Sequence, residues 1–378
     1  MTAADSMLVV FGSVLPALLV SWMAGWGVRR WAPRLGLVDR PGHRKIHSQP
    51  VPTAGGLAIW LGLVAPFAAG QLILWTARPG SLPAFIAPHL SGLGEQSGRL
   101  WLMLAGGTVL LVLGLWDDRR GLSWLVRLSV QTVLAVAMVA AGWRMTLFLN
   151  LPWLTGALSV LWIVGLVNSF NMLDNMDGLS AGVAAIAAAI LAAMMFLVPS
   201  AAGPHLFVAG FLLVFLGSLL GFLWHNRPAA RLFMGDAGSY LIGYLMAMIT
   251  LAATFAGPGI ARHAILGPLC VLAVPLYDTM TVVLIRLRSG RSPFVGDKSH
   301  FSHRLVELGM TNGQAVLTIY LTTATCGLGA LLLPQVNTAG ALVILLNVAL
   351  VVVLVGVLET AGRRARGRRR DPPPDAKT

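Results

Sequence analysis

Asn168, Asn171, Asp174 and Asp177 recur at every third position. On a helix this spacing stacks four oxygen-bearing side chains along one face. Such a ladder suits a polar substrate or a hard cation; the plainer account is a polar cap on an apolar segment. Asp117 and Asp118 are adjacent carboxylates, and like charges side by side repel. Two chemistries use such a pair: oxygen ligation of Mg²⁺ in preference to Zn²⁺, or a base whose pKa the neighbouring charge raises. A solvated pair offset by Arg119 and Arg120 would do neither. Asp236, between Gly235 and Gly238, offers an exposed oxygen at a tight turn or an N-cap for the next helix.

Two basic stretches complete the set. Between Gly36 and His47 lie Asp39, Arg40, His43, Arg44, Lys45 and His47, with Pro and Gly that favour a loop. Arg and Lys here suit phosphate oxygens or anchor the chain at a membrane surface. Between Arg286 and Arg304 lie Arg288, Asp297, Lys298, His300 and His303. A loop contacting phosphate fits these residues better than a zinc site, because only two histidines are close together. Asp278 falls inside an apolar segment, where a carboxylate serves function or a structural hydrogen bond. Clustered carboxylates beside clustered cations point to a metal–diphosphate site at a water–lipid boundary.

The elements that must position these residues are membrane helices. The chain has 378 residues, of which 57% are hydrophobic and 11% charged, with mean hydropathy +0.78. Soluble domains carry about 25% charge. Apolar runs near twenty residues predict an all-α integral membrane protein. About eleven spans are expected, at 7–28, 53–74, 100–115, 124–143, 153–167, 179–198, 205–224, 239–256, 264–285, 314–333 and 339–358. Residues 1–358 are read as one membrane domain, and 359–378 as a basic, disordered tail. Cys270 and Cys326 lie inside spans and are expected to pack there.

Counted over alternate loops, 23 of the 27 Lys and Arg residues fall on one side, leaving Arg78, Arg99, Arg144 and Arg262 on the other. The positive-inside rule then predicts an external N-terminus and a cytoplasmic C-terminus. It places the carboxylate loops at the cytoplasmic face. Topology accounts for the net charge of +13, so the expected partner is the lipid bilayer and not nucleic acid. A transporter of an anionic metabolite is the rival class. It calls for polar residues at the bilayer midplane and repeat symmetry, whereas here they gather at span ends.

Together these stretches resemble the polyprenyl-phosphate N-acetylhexosamine-1-phosphate transferase family, over residues 36 to about 305. Asp117-Asp118 is similar to its aspartate pair, and Asn168 to Leu179 to its N-x-x-N-x-x-D-G-x-D-G-L motif. Asn226 with Phe233 to Gly238 is similar to N-x-x-P-A…F-M-G-D-x-G, and His300 to His303 to H-x-H-H. Asp39 to His47, reading D-R-P-x-x-R-K-x-H, resembles the UDP-N-acetylglucosamine enzymes more than the lipid I translocase. Two departures stand out: Asn175 replaces a Gly of D-G-x-D-G, and Ser302 replaces the middle His of H-x-H-H.

The resemblance implies transfer of a sugar-1-phosphate from a UDP-N-acetylhexosamine to undecaprenyl phosphate, with release of UMP. Mg²⁺, or Mn²⁺ in its place, is the implied cofactor, with Asp236 and Asp117 as its contacts. Asp117 or Asp118 would deprotonate or orient the lipid phosphate. Asn168, Asn171, Asp174, Asp177 and Asn226 would line the nucleotide-sugar site. Asp39, Arg44, Lys45, His47, Arg288, His300, His303 and Arg304 would bind the substrates, with Lys45, His300, His303 and Arg304 holding diphosphate or its leaving charge. By analogy alone, family members point to a homodimer.

Overall fold

A computed structural model describes residues 3–39, 50–76, 90–145, 150–197, 205–253, 261–297 and 299–370. Thirteen helices dominate them: α1 Ala3–Trp31, α2 Gly55–Thr76, α3 Leu90–Arg120, α4 Trp124–Ala140, α5 Pro152–Leu173, α6 Leu179–Leu197, α7 Leu206–Asn226, α8 Gly235–Ala252, α9 Gly267–Val271, α10 Ala273–Arg288, α11 Phe301–Glu307, α12 Asn312–Ala330 and α13 Thr338–Arg370. Every predicted span coincides with a helix or, at 264–285, with the pair α9 and α10.

Eight of these helices are long and apolar enough to cross a membrane. Residues Arg262–Val271 and Ala273–Arg288 make a ninth crossing if taken as one span bent by 66°. Pro275 explains the break, because it has no N–H for the Val271 carbonyl one turn earlier. α4 is a shorter apolar helix, and α8 is not one of the eight. Within the described residues, α13 runs as helix through Arg370. Its Ala, Glu and Arg residues favour helix, which carries it past the predicted end at 358.

The bundle is built around its small residues. α6 is rich in Ala, and 78% of its most apolar stretch is buried, against 11% for α1 and 6% for α13. These figures separate an inner α6 from lipid-facing outer helices. Gly217 and Gly221 of α7 let α1 approach, since a Cβ on them would lie 2.2 Å from the Val14 carbonyl oxygen and 2.3 Å from that of Leu18. This is the small-xxx-small packing of membrane helices. Cys270 and Cys326 are buried and unpaired, as expected of packing residues.

Two short strands, β1 Val38–Asp39 and β2 Val51–Pro52, pair antiparallel with Val38 opposite Pro52. The Phe233 amide donates to the Pro52 carbonyl at 2.8 Å, and the Gly55 amide to the Phe233 carbonyl at 2.9 Å. The hairpin is thereby tied to the segment that leads into α8.

Candidate active site

Three close backbone approaches bring the carboxylates together. A Cβ on Gly114 of α3 would lie 2.3 Å from the Ala237 backbone, and one on Gly56 of α2 would lie 2.4 Å from the Gly238 nitrogen. Gly235 has φ +71 and fits between the Thr53 carbonyl and the Asp118 carboxylate. α8 therefore starts in direct contact with α2 and α3.

Asp118 caps this start. Its Oδ1 accepts from the Asp236 amide at 2.9 Å, and its Oδ2 from the Ala237 amide at 3.4 Å. A carboxylate there also complements the positive end of the helix. Asp117 points elsewhere and is 6% exposed. Its Oδ1 accepts from the Leu122 amide at 2.7 Å; its Oδ2 accepts from the Tyr240 hydroxyl at 2.8 Å and from Arg127 Nη1 at 3.1 Å. Its carboxyl adjoins that of Asp236. Asp236 Oδ1 in turn accepts from Asn171 Nδ2 at 2.6 Å.

These groups open into a cavity of about 950 Å³ lined by residues from 38 to 316. Asp39, Asp117, Asp118, Asp174, Asp177, Asp236 and Glu307 contribute carboxylates to its wall, and His303 an imidazole. No Lys or Arg belongs to the described lining. Asp174 ends α5 at this wall. Burial, followed by the charges of Asp236 and Asp177, pushes its carboxyl up to about 8. So many acids in one place call for cationic charge from outside the wall.

Other predicted residues frame the cavity. Asp177 Oδ2 accepts from the Ala230 amide at 2.9 Å. Asn226, 3% exposed, accepts from the Gly178 amide at 2.9 Å and donates to the Leu232 carbonyl at 3.0 Å. It braces two loops and also lines the cavity.

Four of the predicted residues lie apart from the cavity wall. Asn168 sits one turn deeper on α5, where its Nδ2 donates to Gln131 Oε1 at 2.7 Å and to the Val164 carbonyl at 2.8 Å; it is not part of the wall. His300 Nδ1 meets Asp278 Oδ2 at 3.0 Å, while the Phe301 amide donates to Asp278 Oδ1 at 2.6 Å. Asp278 is therefore a structural acceptor inside the bundle. Arg304 is 2% exposed; its Nε pairs with Glu359 Oε2 at 2.9 Å and its Nη2 donates to Thr281 at 3.1 Å. Arg288 ends α10 and does not reach the wall. His300 and Arg304 are thus engaged elsewhere, His303 lines the cavity, and Arg44, Lys45 and His47 lie outside the described residues.

The residues missed from sequence are the braces. Tyr240 and Arg127 hold Asp117; Tyr240 stands four positions after Asp236, so the pair shares a helix face, and that spacing was the available signal. The two departures from the family pattern touch one another: the Ser302 hydroxyl donates to Asn175 Oδ1.

A family model described as glycosyl transferase family 4 matches residues 100–254, the stretch that carries Asp117, Asp118, Asp174, Asp177 and Asp236. A probable undecaprenyl-phosphate N-acetylglucosaminyl 1-phosphate transferase of Bacillus subtilis is 32% identical over 314 residues, 81% of this chain and 80% of the relative. The chain belongs to this family. A decaprenyl-phosphate N-acetylglucosaminephosphotransferase of Mycolicibacterium smegmatis is 33% identical over 372 residues, covering 91% of this chain and 87% of its own. An undecaprenyl-phosphate alpha-N-acetylglucosaminyl 1-phosphate transferase of Escherichia coli is 28% identical over 338 residues, with 84% and 82% covered. With its apolar helices, this member of the family is a multi-pass membrane protein. None of these relatives supports the transporter reading.

Among the described residues, no three His, Cys, Asp or Glu side chains form a ready-made metal cage. The donor set nonetheless suits Mg²⁺, which binds through one or two carboxylates and takes its other ligands from water and substrate phosphates. Asp117 and Asp236, whose carboxyls adjoin, are two carboxylates that would fit this requirement.

Proposed function

We propose that this chain transfers GlcNAc-1-phosphate from UDP-GlcNAc to undecaprenyl phosphate, releasing UMP, as the opening step of a cell-envelope polysaccharide. In this reading eleven segments cross the bacterial plasma membrane and the cavity faces the cytoplasm, where nucleotide sugars are made. The observation that carries it is the acid-walled cavity at one end of an apolar bundle, in a chain whose relatives bear that activity in their names.

An oxygen of the lipid phosphate attacks the β-phosphorus of the donor, the bond to the UMP oxygen breaks, and UMP leaves. A phosphate monoester has a second pKa of about 6, so the acceptor is already largely dianionic at neutral pH. Bringing two anions together is the harder task, and positioning with charge compensation accounts for most of phosphoryl-transfer catalysis. Asp117 and Asp236 would hold Mg²⁺, which supplies that compensation when bound. Asn171 fixes the Asp236 carboxylate, and Tyr240 with Arg127 fixes Asp117. Asp118 holds the start of α8, while Asp117 adjoins Asp236; on that adjacency we assign orientation of the acceptor to Asp117. Asp174 and Asp177 would face the nucleotide sugar, with His303 at the opposite wall.

The test is UMP release from UDP-GlcNAc and undecaprenyl phosphate by the purified protein. Chelation should abolish turnover, and Mg²⁺ or Mn²⁺ should restore it. Asp117→Asn and Asp236→Asn should each lose about a hundredfold or more in kcat while still inserting and purifying. Full turnover in either variant, or after chelation, contradicts the assignment.

A further inference from the structure

The segment after α7 has two faces. Toward the cavity, Asn226 holds Gly178 and the Ala230 amide holds Asp177. Toward α1 lies a group of cationic and aromatic side chains that the transfer reaction leaves unused. His225 is 1% exposed. Its Nε2 meets the Trp22 carbonyl at 2.9 Å; a carbonyl only accepts, so this nitrogen carries the hydrogen. Its Nδ1 is buried without a partner. The ring fits only because residue 25 is glycine, where a Cβ would come within 2.3 Å of it.

Trp26 packs edge-on against His225 at 5.5 Å, and the Arg29 guanidinium lies 4.7 Å over the Trp26 ring. Arg29 Nη1 is also buried without a partner. The Arg231 amide donates to the His225 carbonyl at 2.8 Å, and the Arg231 charge acts on both Arg29 and His225. None of the ion pairs among the described residues includes Arg29 or Arg231.

Mutually repelling cations beside an unsatisfied buried guanidinium nitrogen are unfavourable alone. A bound oxyanion removes both problems. Planar guanidinium groups suit phosphate in particular. The surroundings favour a lipid as the source: Leu19, Met23, Trp26 and Trp31 on the same helix are exposed apolar side chains, and tryptophans of this kind mark headgroup level.

We propose that Arg29 and Arg231 form a site for the phosphate of an anionic membrane phospholipid, and that its occupancy steadies the 225–231 segment behind the cavity. The probe is phosphatidylglycerol, compared with phosphatidylcholine and with inorganic phosphate. The wild-type protein in mild detergent should retain phosphatidylglycerol by native mass spectrometry. Its thermal midpoint should rise with added phosphatidylglycerol and not with the other two. Arg29→Gln combined with Arg231→Gln should lose retention about tenfold or more, from roughly fivefold per arginine, while Arg29→Lys with Arg231→Lys keeps most of it.

Equal retention in the parent and the Gln variant overturns the proposal. So does an equal midpoint rise with inorganic phosphate alone, which would mark a free-phosphate site. If the double variant does not purify, Arg231→Gln at an exposed side chain is read the same way. Lipid retention is the readout, so the outcome is independent of whether the transferase reading holds.

Discussion

Asp118 gives both carboxylate oxygens to the first turn of α8. A carboxamide has one acceptor oxygen, so substitution there acts by displacing Asp236. Asn168 teaches the reverse lesson. It matches a family motif residue, yet its hydrogen bonds run to Gln131 and Val164. Asn168→Ala should leave the donor KM unchanged and cost about 1–2 kcal/mol of stability, read as a lower thermal midpoint in detergent. A tenfold rise in KM at constant midpoint would return Asn168 to the cavity. Asp297 supplies a pH-dependent term. Burial opposes its ionisation, but hydrogen bonds from Arg286 and Ser299 prevail and bring the carboxyl down to about 2. Its unfolded value is about 3.9, so its stabilisation is complete above roughly pH 4 and disappears as pH falls through about 2. Asp297→Asn should therefore melt below the parent at pH 7 and alongside it near pH 2. The cavity carboxylates were legible in the sequence because acids are costly in an apolar chain and must cluster for a reason. The partners of His300 and Arg304 were not, because Asp278 and Glu359 lie far away in sequence and only folding brings them near.

At the scale of elements, the Asn175–Ser302 contact joins the loop after α5 to α11. Both residues depart from the family pattern, and together they connect two walls of the cavity. Asn175→Gly and Ser302→Ala should each lower the thermal midpoint, and the double variant should fall no further than either alone. A coupling of about 1 kcal/mol is expected from the double-mutant cycle; strictly additive losses would show that the hydroxyl and the amide do not cooperate. Every predicted span proved helical because runs near twenty apolar residues leave the backbone no other way to satisfy itself in lipid. The 66° bend was written in Pro275 but masked by uninterrupted hydropathy. The two-residue strands of the hairpin are too short to impose a periodicity. Eight helices meet the length and apolarity of a crossing, and α8 does not, since its first turn is spent on Gly235, Asp236 and Gly238.

For the whole molecule, the uneven distribution of cations between the two sets of loops is the argument for orientation. A membrane-impermeant maleimide should label Glu95→Cys on intact cells and leave Arg291→Cys untouched until the membrane is opened. The opposite pattern would invert the bundle and place the cavity outside. Composition and hydropathy made the membrane class legible, whereas the surplus of acid on the cavity wall emerges only when loops from both halves of the chain meet. One feature near the end of the chain bears on how the enzyme is made. Arg304 is fixed by Glu359 of α13. A ribosome that has delivered residues 1–330 has produced every acid of the cavity wall, but the guanidinium behind His303 still lacks its counter-ion. An uncompensated buried charge of this kind costs about 3–5 kcal/mol. A chain that stops before Glu359 should therefore be less stable than the parent, read as a lower thermal midpoint in detergent.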